Sequence, residues 1–440
     1  MSKHILHNNR NGCALHGALK VVNAVDGFVP IVHSSAGCSI QSKLSDNILS
    51  GSNGAHYRGG LETSATAVFE KQIVFGGTAR LREQIKNTVK VQPADLYVVL
   101  TGCAPEIVGD DVPAMVKEAQ DQGFPVITTS TPGFKGNVYK GYEWAVKAII
   151  ERISYPDLDH KTQKGLVNIW GIIPNQDIFW EGNLASLDQL LASLGLKANT
   201  LFGFDQTKEN WRAVTAAELN LVVSPWGLEA ARQLEKKYGT PYLYLGYLPV
   251  GAPDTSAFLK LLGEKLSIPK ERIEAVKNKE EKYLNYQFQK LAQTYISYDF
   301  QKEIALVGET SNVLGISRFL HNSFGQLLTT VIITDNPDEE LRQQIKDLVP
   351  TNNSYPTEVI FASDGKEIDE WLLKSKPQVI LGSSLEQIVA DKLSVPLIKI
   401  STPTFDKAIL IQTYTGYTGA IELLQDFSEA IIRQLHIDKK

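Results

Sequence analysis

Leu96-Tyr97-Val98-Val99-Leu100 is an apolar run without alternation, and Thr101-Gly102-Cys103 follows it directly. A short run of this kind reads as a strand buried on both faces, which belongs in a parallel sheet. Runs of the same character occupy 27–33, 125–129, 166–173, 219–223, 242–245, 303–308, 327–334, 358–362, 378–382 and 396–400. Between them lie stretches with helical periodicity and charged faces, among them 79–89, 112–122, 142–153, 184–194, 228–238, 270–296, 311–324 and 338–348. Strand–helix alternation over the whole length predicts an α/β fold with parallel sheets covered by helices on both sides. One open sheet would need too many strands. The expected architecture is therefore three Rossmann-like, doubly wound domains, divided as 1–165, 166–300 and 301–440.

Composition narrows the function. Of 440 residues, 43% are hydrophobic and 21% charged, with a formal net charge of −5. That balance offers no electrostatic footprint for nucleic acid or an anionic membrane. No apolar run reaches the roughly 18 residues of a spanning helix. Residues 1–10 lack the apolar core of a secretory signal, so the expected location is the cytoplasm.

Cysteine is the informative residue. There are three, Cys13, Cys38 and Cys103, all in the first quarter of the chain. An odd number argues against a disulfide framework. In doubly wound sheets ligands sit at the carboxyl ends of strands. Cys38 follows the 27–33 run through His33-Ser34-Ser35-Ala36-Gly37, Cys103 follows the 96–100 run, and Cys13 precedes the helix expected from Ala14. All three can meet at one edge of the first domain. Each has glycine before it (Gly12, Gly37, Gly102), which suggests unusual backbone or a close approach to a ligand. Structural zinc prefers close cysteine pairs, whereas the intervals here are 25 and 65 residues. His16 and His33 lie nearby, but neither forms a catalytic dyad signature. His33 fits better as a strand-end cap. Iron–sulfur ligation fits best, and three thiolates are one short of a four-iron cluster, so the missing ligand is a non-cysteine residue, an exogenous group or a cysteine of another chain, the last of which predicts a cluster shared across a subunit interface.

These residues resemble the nitrogenase component 1 superfamily, specifically its β-type (K-like) subunits. Gly12-Cys13-Ala14-Leu15-His16-Gly17-Ala18, His33-Ser34-Ser35-Ala36-Gly37-Cys38 and Thr101-Gly102-Cys103 look like its three cluster-cysteine segments. The last continues into Glu106-Ile107-Val108-Gly109-Asp110-Asp111, and Val74-Phe75-Gly76-Gly77 matches a V-F-G-G segment. Residues 167–169, 182–184, 401–406 and 416–420 extend the likeness toward the C-terminus. The resemblance implies that Cys13, Cys38 and Cys103 ligate half of a P-cluster-type 8Fe–7S centre, or a 4Fe–4S cluster, shared with an α-type (D-like) partner in an α2β2 assembly. It implies that Phe75 lies where an ATP-dependent iron-protein reductase docks. As a residue in isolation, Phe75 reads as a buried aromatic after a strand. Asp110 and Asp111 read as caps of the following helix.

The chain departs from the family pattern in two places. Where many β subunits have a cluster serine in a T-P-S-F segment, it reads Thr131-Pro132-Gly133-Phe134, so serine ligation of an oxidised centre is expected to be missing. The interval from Cys38 to Cys103 is longer than usual and glycine-rich at Gly51, Gly54, Gly59 and Gly60. The segment before Cys13 is also shorter than in many molybdenum-type β subunits. No cysteine follows Cys103, and the later histidines are His160, His321 and His436, so the substrate-reducing cofactor is expected in the partner. The reading is an electron-relay β subunit of a nitrogenase-like reductase. Alternatives are a reductase of methylthio-alkane C–S bonds or tetrapyrroles, and an N-type cofactor-assembly scaffold.

Overall fold

The computed structural model describes residues 7, 9–41, 63–153, 161–352 and 354–437. The glycine-rich stretch after Cys38 and His160 lie outside them, as does the side chain of His436.

Three sheets carry the chain, and every pairing between named strands is parallel. The first holds β1 (Phe28–His33), β2 (Ser64–Ala65), β3 (Leu96–Thr101) and β4 (Val126–Ser130) in the order β2-β1-β3-β4. The second orders β5 (Gln163–Trp170), β6 (Lys197–Asn199), β7 (Ala217–Val222) and β8 (Tyr242–Tyr244) as β6-β5-β7-β8. The third takes β9 (Glu303–Gly308), β10 (Leu327–Ile333), β11 (Glu358–Phe361), β12 (Val379–Gly382) and β13 (Leu397–Lys399) in the order β11-β10-β9-β12-β13. All six residues of β1 and of β3 are buried, as their unbroken apolar runs require. The expected strands are present. The runs missed β2 and β6, which are two and three residues long and lie at sheet edges.

One large apolar core runs from Leu15 and Val32 through Trp170 and Leu221 to Leu306 and Phe427 and joins the three sheets, while the opposite faces of the first and third sheets carry separate clusters around Val99 and Ile380. Helix Gly416–Ile437, at the end of the chain, packs on helices Trp180–Ser193 and Gly251–Leu266. The N-terminal segment crosses the other way. Arg10 reaches the third sheet, where its guanidinium meets Glu386 at 2.7 Å with both side chains almost wholly buried, and also bonds Ser383 and the Thr402 carbonyl. Asn11 donates to the Thr334 carbonyl at 2.7 Å. A buried, multiply bonded arginine of this kind fixes one register, because losing either partner strands a charge. The segment that leads into Cys13 is thereby held by loops more than 300 residues away.

Among the described residues no helix is long and apolar enough to cross a membrane.

Candidate functional site

The site is built at the carboxyl edge of the first sheet. β1 and β3 are neighbours in register, with His33 opposite Thr101, so the loops that leave them start side by side. Cys103 is the first residue of helix Cys103–Val108. Cys38 lies in the first turn of a helix that begins at residue 36. Both thiols thus sit in first helical turns rather than in the loops before them.

Cys13 arrives by helix packing. It is the N-cap of helix Ala14–Asn23, which crosses helix Val138–Ile153 at backbone contact. A Cβ on Gly17 would come within 1.8 Å of the Val138 oxygen, and one on Gly141 within 1.9 Å of the Ala14 oxygen. Only glycines allow that approach. It brings residues 131–137, which follow β4, against Cys13: Ala14 N–H donates to the Gly136 carbonyl at 3.0 Å and Val138 N–H to the Gly12 carbonyl at 2.8 Å.

Gly133 lies between the first and third thiols. Its N–H donates to Cys103 Sγ at 3.2 Å. A Cβ there would stand 2.9 Å from Cys13 Cβ and 3.5 Å from the sulfurs of both Cys13 and Cys103, so those sulfurs are at most twice that far apart. Ser34 Oγ donates to Cys38 Sγ at 3.2 Å, and Ser35 Oγ lies 3.6 Å from it. A Cβ on Gly102 would strike Ser34 Oγ at 2.0 Å, so the second and third cysteine loops also touch. All three thiols are half-buried and unpaired by disulfide. Burial pushes the Cys13 thiol above its usual range; backbone donors at His16 and Leu15 oppose this, and the neighbouring Cys38 and Cys103 reinforce it.

The three preceding glycines differ in their cause. None has a positive φ. Gly102 is required by Ser34, and Gly12 by the His16 ring at 2.9 Å. Gly37 faces open space, so its backbone makes no close approach, contrary to the reading that grouped it with the other two.

Among the described residues no three His, Cys, Asp or Glu side chains are close enough to hold one metal ion. A zinc ion needs every ligand within about 2.3 Å of one point. A cluster differs, because it offers several irons to which thiolates could attach at separate points. The spread thiols, the sulfur-directed donors on Ser34 and Gly133, and the space kept free of a side chain at Gly133 fit a cluster and not a mononuclear site.

A second arrangement lies beside the thiols. Phe75 is not buried and does not follow a strand. It ends helix Glu70–Phe75 and is 81% exposed, with Val74, Ile73 and Phe69 also exposed. Gly76 and Gly77 then turn into helix Thr78–Val91. Asp111 caps helix Val112–Asp121 as expected, accepting from Ala114 N–H at 3.0 Å. Asp110 does not. Its carboxylate accepts from Gly77 N–H at 2.7 Å and meets His33 Nε2 at 3.0 Å, while His33 Nδ1 lies 3.1 Å from Thr66 Oγ1. His33 is wholly buried at the end of β1. That burial pulls it below the usual histidine range despite the pull of Asp110 the other way, so the ring is neutral near pH 7 and its Nε2–H donates to Asp110. On the far side of the Cys103 helix, Glu106 accepts from Thr101 Oγ1 and from Lys135 at 2.9 Å; burial opposes its ionisation, but those bonds with Ser130 hold it below the usual carboxylate range. His321 is engaged structurally, its Nδ1 lying 2.9 Å from the Gln326 carbonyl.

The family model "Nitrogenase component 1 type Oxidoreductase" matches residues 13–432. The nitrogenase molybdenum-iron protein beta chain of Methanothermobacter marburgensis is 26% identical over 96% of this chain and 94% of its own. The nitrogenase vanadium-iron protein beta chain of Trichormus variabilis is 24% identical over 93% and 90%. The nitrogenase iron-iron protein beta chain of Rhodobacter capsulatus is 24% identical over 97% and 94%. The solved structure "Nitrogenase Cp1 at pH 6.5" shares the fold with a TM-score of 0.79 over 99% of this chain and 95% of that one, at 18% identity. The chain belongs to the nitrogenase component 1 type oxidoreductases, as a β-type subunit.

Proposed function

We propose that this chain is the electron-relay β subunit of a nitrogenase-like reductase, and that Cys13, Cys38 and Cys103 hold half of an iron–sulfur centre of the P-cluster type. An α-type subunit would hold the other half and the substrate-reducing cofactor, in an α2β2 assembly, and an ATP-dependent iron protein would dock on the Phe75 face. The carrying observation is Gly133. It donates to one thiol and leaves the space between two of them free of any side chain.

When bound, the cluster supplies one-electron chemistry. The residues of this chain supply its setting. Ser34 Oγ and Gly133 N–H direct donors at the sulfurs of Cys38 and Cys103, which stabilises negative charge there and raises a cluster's potential. Position 133 offers no side-chain oxygen, so oxidation of the centre does not recruit a ligand from it. Cys13, whose thiol burial keeps protonated, would have to lose that proton to ligate iron.

The exposed apolar residues beside the thiols support the partner reading. Ile40, Ile107 and Phe134 are each more than half exposed around the site. Exposed apolar patches of this kind mark protein interfaces.

The test is replacement of all three cysteines by alanine, with this chain purified in complex with its partner. The expected result is loss of iron and of visible absorbance from the shared centre, with the complex still assembled. Retention of both would refute the ligand assignment. A complex whose α-type chain lacks a second-domain cysteine and a third-domain histidine would turn the reading toward a scaffold or a tetrapyrrole-type reductase.

A further inference from the structure

The Phe75 face and the thiol loops are joined through one buried carboxylate. Asp110 leaves the Cys103 helix just after Gly109, whose left-handed conformation (φ 80°) ends that helix. Its Oδ1 accepts from Gly77 N–H at 2.7 Å and from Thr78 Oγ1 at 3.4 Å, at the turn that directly follows Phe75. Its Oδ2 meets His33 on β1, the strand that leads to Cys38. The side chain is 3% exposed. One carboxylate therefore ties the docking face to the segments carrying two of the three thiols.

The packing shows how little slack this hub has. A Cβ on Gly77 would stand 2.5 Å from Asp110 Oδ2 and 3.0 Å from His33 Cε1, and one on Gly76 would stand 3.3 Å from Asp110 Oδ1. The glycine pair after Phe75 leaves room for Asp110 and His33. From His33 the path continues: its carbonyl accepts from Gly102 N–H at 2.9 Å, and Gly102 abuts Ser34, whose hydroxyl donates to Cys38 Sγ. Each step is a close contact or a hydrogen bond, most of them part-buried, which leaves little slack to absorb a displacement of helix Glu70–Phe75.

We propose that Asp110 is a positioning residue that couples the exposed Ile73–Phe75 face to the Cys38 and Cys103 loops, so that a reductase docking there senses the charge state of the thiolate-bound centre. This rests on the proposed function above. Linkage makes it measurable: if docking changes the centre's potential, the centre's redox state changes docking affinity by the same factor.

The experiment uses the intact complex with its α-type partner and measures reductase affinity for the reduced and the oxidised forms. For the unaltered protein the two affinities are expected to differ by at least about fivefold, the low end of coupling between sites. In Asp110→Asn the difference is expected to collapse toward one while iron content is kept. Phe75→Ala weakens both affinities equally and leaves their ratio unchanged. Asp111→Asn, which keeps a capping side chain on the same loop, changes neither. A full ratio in Asp110→Asn with iron retained would overturn the coupling alone. No difference in the unaltered protein, or no binding, would overturn the reductase reading beneath it. If Asp110→Asn fails to assemble, His33→Gln keeps the carboxylate and its Gly77 bond while removing the imidazole. A reduced ratio in that variant supports the coupling, and an unchanged ratio overturns it.

Discussion

Replacing Gly133 by alanine adds one methyl group between two of the thiols. The added carbon would stand 2.9 Å from Cys13 Cβ. Carbon–carbon contacts are relaxed at about 3.5–4.0 Å, so it intrudes by roughly 0.6–1.1 Å. Cys13 Cβ cannot swing aside, because it is fixed to the N-cap of a helix that Gly17 and Gly141 press against its neighbour. The other side is no freer, since the Gly133 N–H is engaged with Cys103 Sγ. Overpacking of this kind costs about 1–3 kcal/mol, which is roughly a 5- to 150-fold shift in an equilibrium. The strain is placed between two thiols, so it should appear in metal retention before it appears in folding. The assay is iron per complex and the rate of iron loss to a chelator, beside far-UV circular dichroism of the same samples. Gly133→Ala is expected to lose iron faster with unchanged secondary structure, and Gly133→Ser at least as fast. An alanine variant with native iron content and native chelator resistance would refute the claim that Gly133 keeps a space between the thiolates.

Further predictions concern folding and protonation. Gly17→Ala drives a Cβ into the Val138 carbonyl and is expected to destabilise the chain by more than about 3 kcal/mol; Gly37→Ala, which meets nothing within 4 Å, is expected to unfold at the same denaturant concentration as the unaltered chain, and equal midpoints for both variants would refute the packing argument. Burial, with the neighbouring Asp177 carboxyl, raises Glu309 well above the carboxylate range, and Asn312 donates to both acids. The folded state therefore holds a proton that the unfolded chain releases near pH 4–5, and stability falls as pH rises from there through the raised folded value. Glu309→Gln should flatten that part of a denaturation-midpoint-versus-pH curve, and an unchanged slope would refute the buried-acid assignment. His33 has the opposite sign: its folded value is lowered, so the stability it contributes is present above the unfolded value near 6.5 and is lost as pH falls through the lowered folded value. Ring NMR should put its midpoint below 6.5, and Asp110→Asn, which removes the charge pulling it upward, should lower it further.

Much of this protein was legible as a pattern. Runs such as Leu96–Leu100 and Glu303–Gly308 announce themselves because a strand buried on both faces has no polar alternation. β2 and β6 carry no such signal, since each is only two or three residues long and partly exposed at an edge. The thiols were legible as a trio from their positions after strands and before helices. What held them was not. Gly133 stood out only as a missing serine, and its place against Cys13 depends on a helix crossing set by Gly17 and Gly141. Phe75 was legible only through its motif, because nothing local marks an aromatic at the end of a short helix as exposed. Asp110 looked like a second capping residue beside Asp111. Its partners, Gly77 and His33, are 33 and 77 residues away, and no local rule reaches that far.

The sequence by itself determined the α/β class, the strand-by-strand plan, the parallel sense of the sheets and the candidate ligands, because apolar periodicity and side-chain chemistry are properties of short segments. Tertiary structure alone decided the order of strands within each sheet, the meeting of Cys13 with Cys103 across Gly133, the Arg10–Glu386 anchor and the Asp110 hub. These depend on which backbones come within a few ångströms, and such distances are set by packing in three dimensions between residues far apart in the chain.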